Sequence, residues 1–360
     1  MPLITVSATE ALERLDAFSA IVDARSESEY ALDRLPGAVN WPTLNDAERA
    51  SVGTEYKQDS PFSARKRGAV LAARNIAAHI ERHALELPRD WSPLVYCWRG
   101  GQRSGSLGLV LSQIGFRVNV LEGGYQAFRR AVVAALETLP GRLSFVVVGG
   151  VTGSGKSLLL RALAARGEQV LDLEALANHR GSVLGLAPGE AQPSQKAFDT
   201  ALWNALRRLD PARPVFVESE SAKVGDLRVP PALLARMRAA PCVWLELPED
   251  ARVALLLREY EFFVRDVDAF CARLDALRLL RGHETVDAWQ EAARGGRLES
   301  VVRDLLVTHY DPIYLQSIRR NFPGTAMPLA RLSWDGSDAA LSAAAAMAAS
   351  AALTGSGAAR

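Results

Sequence analysis

Cysteine is scarce in this sequence. There are three in 360 residues, an odd number with no disulfide-like spacing, which excludes a disulfide-stapled secreted scaffold. Lysine is nearly as rare: five of the 42 basic residues, the other 37 being arginine. That skew suits phosphate recognition through guanidinium forks, and biased genome composition produces it equally well. The net charge is +1, so no overall basic field exists, and any nucleic-acid contact must come from local patches. No uninterrupted apolar run reaches the length of a membrane span, and a membrane partner is not expected. The opening MPLITVSATEALERL lacks a basic stretch followed by an apolar one, so a signal peptide is not expected either. These absences together predict a cytoplasmic location.

What is present is ordinary globular composition, 49% hydrophobic and 23% charged, in a chain long enough for two cores. Apolar strand-like runs alternate with helical patterns in both halves, which predicts α/β architecture throughout. Strands are predicted at Ala20–Asp23, Leu94–Cys97 and Arg117–Leu121 in the first half, with helices over Ala64–His83 and Ser104–Ile114. In the second half the predicted strands are Leu143–Gly150, Gln169–Leu173, Pro214–Glu218 and Cys242–Leu247, and one helical block covers Glu249 to Arg281. Pro140 and Gly141 break a helix before a new strand. The expected division is therefore residues 1–138, a linker at 139–142, a second domain with extra helices at 143–338, and an alanine-rich tail at 339–360 that is either a terminal helix or a frayed end.

Two segments carry chemistry. In SPLVYCWRGGQRSGS a buried strand ends at Cys97, and a glycine-rich turn then leads into a helix. Backbone N–H groups, a helix N-terminus, Arg99 and Arg103 all favour thiolate over thiol, so Cys97 is the candidate nucleophile and its loop a candidate anion cradle. Cys242 and Cys271 have no such turn and are expected to be buried hydrophobes. The other segment is GVTGSGKS. It follows an apolar strand, precedes a helix and satisfies the P-loop pattern. Gly150, Gly153, Ser154, Gly155, Lys156 and Ser157 are the expected phosphate-binding residues, with the Ser157 hydroxyl placed to ligate Mg²⁺. Glu218 and Asp172, each near a strand end, are candidate supporting acids, Glu218 also as a metal ligand; Glu174 is a similar candidate. ATP, GTP or another di- or triphosphate would suit the loop.

The first part resembles a rhodanese domain through IVDARSESEY, with Asp23, Arg25 and Glu29, through LPGAVNWP, and through LEGGYQAF. Its Cys97–Arg103 loop spans seven residues where sulfur-transferring rhodaneses usually have six. The wider loop is reminiscent of phosphatase relatives and would admit a larger tetrahedral anion. With a P-loop domain following, and with LDLEALANHRGSVLG and VESESAKVG, nearly the whole chain resembles the tRNA 2-selenouridine synthases. That resemblance implies an N-terminal rhodanese-like and a C-terminal P-loop NTPase-like α/β domain. It also implies a transferase acting on 2-thiouridine in the anticodon region of tRNA. There, sulfur is geranylated from geranyl diphosphate, and the geranylthio group is then replaced by selenium from selenophosphate. Selenophosphate and geranyl diphosphate would be co-substrates, with Mg²⁺ as an optional ion, no tightly bound organic cofactor, and a selenophosphate-producing enzyme as a further partner. Leu255–Val264 is a candidate geranyl groove or plain helix core. Arg65–Lys66–Arg67, Arg207–Arg208 and Arg319–Arg320 are candidate tRNA phosphate contacts or solvated faces. Tyr310, Asp311 and Tyr314 are candidates for a base-stacking surface. The competing readings are an ATP-dependent tRNA sulfurtransferase, a phosphatase, and a regulatory binding protein built from the same two modules.

Overall fold

The computed structural model describes residues 3–180, 185 and 189–357. Residues 181–184, which belong to the LDLEALANHRGSVLG segment, lie outside the described residues. The chain divides into two compact units, one made of 1–135 with 193–204, the other of 136–192 with 205–360.

The first unit holds a five-stranded parallel sheet of β1 (Ile4–Val6), β2 (Ala20–Asp23), β3 (Ala38–Asn40), β4 (Pro93–Tyr96) and β5 (Asn119–Leu121), in the order β1-β5-β4-β2-β3. The central strands β2 and β4 are apolar and almost wholly buried, as a parallel sheet covered on both faces requires. Behind β4, the helix Gln102–Ile114 puts Leu107 and Leu111 into one core with Val22, Val95 and Cys97. Its start two residues before the predicted Ser104 places Gly101 at the cap.

The inclusion of 193–204 in this unit differs from the sequence expectation, which gave that stretch to the second domain. The physical cause is a set of contacts made by the helix Gln195–Leu206. Thr200 Oγ1 donates to Asp33 Oδ2 at 3.1 Å, Arg129 pairs with Asp199 at 2.8 Å, Ser194 Oγ donates to the Leu32 carbonyl, and Trp203 meets Phe128 edge-on at 5.7 Å. Sequence periodicity says that a helix is there, and nothing in it says which sheet the helix will cover.

The second unit is built on β6 (Ser144–Gly149), β7 (Gln169–Leu171), β8 (Pro214–Glu218), β11 (Cys242–Glu246) and β12 (Ala330–Ser333), all parallel, in the order β12-β11-β6-β8-β7. A two-residue antiparallel hairpin, β9 (Lys223–Val224) and β10 (Leu227–Arg228), stands apart from it. The P-loop strand β6 is central, and the helix Lys156–Ala165 follows it. The single helical block predicted over Glu249–Arg281 is instead several short helices. Asp266 caps a new helix by accepting from Ala269 N, and Gly282 ends the stretch with φ +83°. Residues 139–142 form a 3₁₀ turn. The alanine-rich tail is a helix, Asp338–Gly357. Its Ala344, Ala348 and Ala352, spaced by one turn, are buried in the same core as Leu159 and Leu163 of the P-loop helix. Among the described residues no helix is long and apolar enough to cross a membrane.

Candidate functional site

Cys97 sits just past β4, 3% exposed. Its Sγ accepts hydrogen bonds from Gly101 N at 3.3 Å and from Ser104 Oγ at 3.1 Å. The loop can close this tightly because Gly100 has φ +67°, and a Cβ there would stand 2.7 Å from the Leu121 carbonyl oxygen. The two arginines expected to electrify the loop differ in fate. Arg103 is paired with Glu29, Nη1 to Oε2 at 2.7 Å, so its charge is already matched. Burial alone would raise the Glu29 carboxyl, but the hydrogen bond and charge of Arg103, with the Arg49 charge and the Ser26 amide, hold it below its usual range. Arg99 is exposed. The sulfur is therefore held by one backbone amide and one neutral hydroxyl, and Ser104 is a contact that the sequence reading did not single out.

Beneath the loop, Asp23 and Arg25 form a buried pair at 2.6 Å, joined by the Tyr96 hydroxyl at 2.7 Å from Asp23 Oδ2. The Arg25 guanidinium lies 4.1 Å from the ring centre of Tyr125, and Tyr125 stacks on Trp98 of the Cys97 loop. This network braces the loop from below. The remaining cysteines are buried with their thiols donating to carbonyls, Cys242 to Val243 O at 3.2 Å and Cys271 to Gln290 O at 3.8 Å. Burial pushes the Cys242 thiol up to about 12 and raises that of Cys271.

In the second unit, residues 150–155 form the turn between β6 and the next helix, which opens with Lys156 and Ser157. Gly155 has φ +89° and lies against the Trp334 ring, whose Nε1 donates to the Ser154 carbonyl at 2.8 Å. Gly150 and Gly153 also take positive φ, and Ser154 is fully buried with no partner for its Oγ among the described residues. Lys156 Nζ donates to the Gly150 carbonyl at 2.8 Å and lies 5.0 Å from the ring centre of Tyr314. Ser157 Oγ donates to Glu174 Oε2 at 2.9 Å. The acid that reaches the P-loop serine is thus Glu174, whereas Glu218 stands one layer deeper. Glu218 is 1% exposed, its Oε1 accepts from Glu174 N at 2.8 Å, and its Oε2 has no partner among the described residues. Burial, followed by the negative charges of Asp172, Glu174 and Glu220, drives its pKa well above the ordinary glutamate range. Glu220, which the sequence reading did not single out, is pushed up to about 8 by burial and by Glu174. Asp172 caps the short helix Leu173–Ala177 by accepting from Ala175 N at 2.8 Å.

Two spaces meet at the loop. A cleft of about 740 Å³ is lined by Lys156, Ser157, Glu174, Glu220, His309 and Tyr314 among others. A smaller apolar cavity of about 60 Å³ opens beside it, lined by Leu256, Tyr260, Phe263, Phe270, Leu305 and Tyr310 together with Thr152 of the P-loop. Thr152, Leu256, Tyr260 and Tyr310 border both. The stretch Leu255–Val264 accordingly divides: Leu256, Leu257, Tyr260, Phe263 and Val264 face the cavity, while Leu255 packs in the sheet core. Thr152 is fixed by Arg252, whose Nε donates to its carbonyl at 2.9 Å and whose guanidinium grips Asp311 at 2.6 and 2.9 Å. Asp311 is therefore a brace, and Tyr314, bonded to Ser219 Oγ at 2.6 Å, belongs to the P-loop cleft.

Residues 143–278 match the tRNA 2-selenouridine synthase AAA domain, and residues 7–131 match the rhodanese-like domain. Curated relatives extend the match over most of the chain. A tRNA 2-selenouridine synthase of Sulfurovum sp. is 32% identical over 331 residues, covering 84% of this chain and 89% of that protein. The chain belongs to the tRNA 2-selenouridine synthase family. The synthase of Ectopseudomonas mendocina is 34% identical over 325 residues, 82% of this chain and 86% of its own. Among solved structures, a rhodanese-related protein of Thermoplasma volcanium is 20% identical with a TM-score of 0.22, covering 36% of this chain and 92% of that one. The family's two domains are the α/β units described above, rhodanese-like first and P-loop-like second.

Proposed function

We propose that this transferase converts 2-thiouridine of tRNA to 2-selenouridine in two steps, alkylating the sulfur with geranyl diphosphate at the P-loop cleft and delivering selenium from selenophosphate at the Cys97 loop. Membership of the family supports the overall conversion. The division into steps is carried by one observation: Thr152 lines a polar cleft containing Lys156 and an apolar cavity at the same time. A ligand filling both has an anionic phosphate end and a hydrocarbon end, as a prenyl diphosphate does. The cavity has room for roughly four to six water-sized bodies by volume, and its aliphatic and aromatic walls favour hydrocarbon over water.

In the alkylation, the thiocarbonyl sulfur bonds to the allylic carbon of the geranyl chain, the carbon–oxygen bond to diphosphate breaks, and the base loses its N3 proton. Diphosphate gains charge as it leaves. Lys156 and the loop amides around Gly153 and Gly155 would stabilise it. On binding, Lys156 would exchange the Gly150 carbonyl for phosphate oxygens. A Mg²⁺ ion fits the donors here, because it keeps most of its shell as water and phosphate and needs only one or two protein oxygens, which Ser157 and Glu174 offer. When bound, it would supply further neutralisation of the diphosphate. Glu218, whose Oε1 accepts from Glu174 N, would hold the Glu174 backbone from below. In the selenation, selenophosphate would lie over Cys97, with Arg99 free to turn toward it and Arg103 able to exchange Glu29 for the anion.

Isothermal titration with geranyl diphosphate, inorganic diphosphate and ATP tests the cleft reading. The expected order of affinity is geranyl diphosphate, then diphosphate, with Lys156→Ala weakening both. Tighter binding of ATP than of geranyl diphosphate, with ATP turnover coupled to product, would contradict it.

A further inference from the structure

His309 is a feature that neither phosphate binding nor alkylation uses. It lies in a π-helical segment, Leu305–Tyr310, a conformation that recurs at functional sites. The segment's Leu305 and Leu306 line the apolar cavity, while His309 lines the P-loop cleft. His309 is 4% exposed. Arg281 Nε donates to its Nδ1 at 2.9 Å. An arginine N–H can only donate, so Nδ1 must be the acceptor, and the ring proton is confined to Nε2. Burial, and then the positive charge of Arg281, hold the imidazole pKa below its usual value, so the ring is neutral. No acceptor among the described residues takes the Nε2–H. His309 thus stands in the cleft as a neutral donor of fixed tautomer, unable to accept at either nitrogen.

A phosphate oxygen is better served by the cations Lys156, Arg161 and Arg180, which line the same cleft. A base edge needs a neutral donor of defined direction. We infer that His309 reads the base, its Nε2–H donating to the 4-carbonyl oxygen of the uracil ring that is modified in this cleft, with Arg281 as the residue that positions it. Uracil presents an acceptor at that position and cytosine an amino group, so a donor that cannot accept admits the one and refuses the other. The inference rests on the proposed use of the cleft for alkylation.

Its test compares two anticodon stem-loops, one carrying 2-thiouridine and the other 2-thiocytidine, against wild type, His309→Phe and His309→Gln. Phenylalanine fills the ring's space without a donor, and glutamine keeps one. Binding by fluorescence anisotropy needs no turnover, and formation of the S-geranyl product in wild type reports separately on the alkylation reading. The expected result is a uridine-over-cytidine binding ratio that falls about tenfold or more in His309→Phe and is partly kept in His309→Gln, with the affinity for geranyl diphosphate unchanged in both. A ratio unaltered in folded His309→Phe overturns the inference. So does a loss of geranyl diphosphate affinity without a change in the ratio, because the donor would then belong to the diphosphate.

Discussion

The sulfur of Cys97 accepts from two donors, and one of them, Ser104 Oγ at 3.1 Å, is a side chain that can be removed. Ser104→Ala should slow alkylation of Cys97 by iodoacetamide at neutral pH about fivefold to tenfold, the worth of one neutral hydrogen bond, whereas Cys242 and Cys271 stay unlabelled until the chain unfolds. An unchanged rate in Ser104→Ala would mean that the Gly101 amide alone holds the sulfur. The acids beside Ser157 make a second prediction. Glu220 is raised to about 8 in the folded chain, so the folded state retains a proton that the unfolded state gives up at ordinary glutamate pH. Stability without divalent cation should therefore fall as pH rises from about 4.5 to 8. Thermal melts of Glu220→Gln should show a flatter profile across that window, and an identical slope in the variant would refute the assignment. Cys97 and the loop from Gly150 to Ser157 were legible in the sequence because each is a local pattern of strand, glycine turn and helix. Glu220 and Ser104 were hidden because nothing in their spacing separates a site residue from a solvated carboxylate or an ordinary helix serine.

At the scale of elements, the P-loop is a local motif held by distant ones. Arg252 reaches Thr152 across 100 positions of sequence, and Tyr314 reaches Ser219 across 95. No window of the sequence contains both ends of such a contact, so neither the Asp311–Arg252 pair nor the Tyr314–Ser219 bond could be read there. Strands and helices themselves were far more readable: β2 and β8 have the predicted limits, because β-branched runs bounded by turn residues are a short-range signal. Asp311→Ala should cost about 3 kcal/mol in urea unfolding, since it leaves the buried Arg252 guanidinium without its partner, and it should also weaken geranyl diphosphate binding by loosening Thr152. A variant as stable as wild type would show that Arg252 finds another partner. The helix Gln195–Leu206 gives a parallel case. Thr200→Val removes a donor from the buried Asp33 carboxylate, and hydrogen exchange over 195–206 should accelerate by roughly the worth of one hydrogen bond, fivefold to tenfold.

On the scale of the whole molecule, two α/β units each end a central parallel strand in a glycine-rich loop, one presenting a thiol and the other a phosphate cradle. That much was visible from the order of the motifs. Helix Gln195–Leu206, which leaves the second half of the sequence to join the first unit, was not visible, because a helix's amphipathic face records that it packs without recording against what. In the proposed function the two loops serve successive steps on one base. Mass spectrometry of a 2-thiouridine stem-loop after incubation with geranyl diphosphate and selenophosphate tests it directly, using wild type, Cys97→Ser and Lys156→Ala. Selenouridine is expected from wild type, accumulated geranylthiouridine from Cys97→Ser, and unmodified thiouridine from Lys156→Ala. Selenouridine formed by folded Cys97→Ser, or geranylthiouridine formed at the wild-type rate by Lys156→Ala, would contradict it.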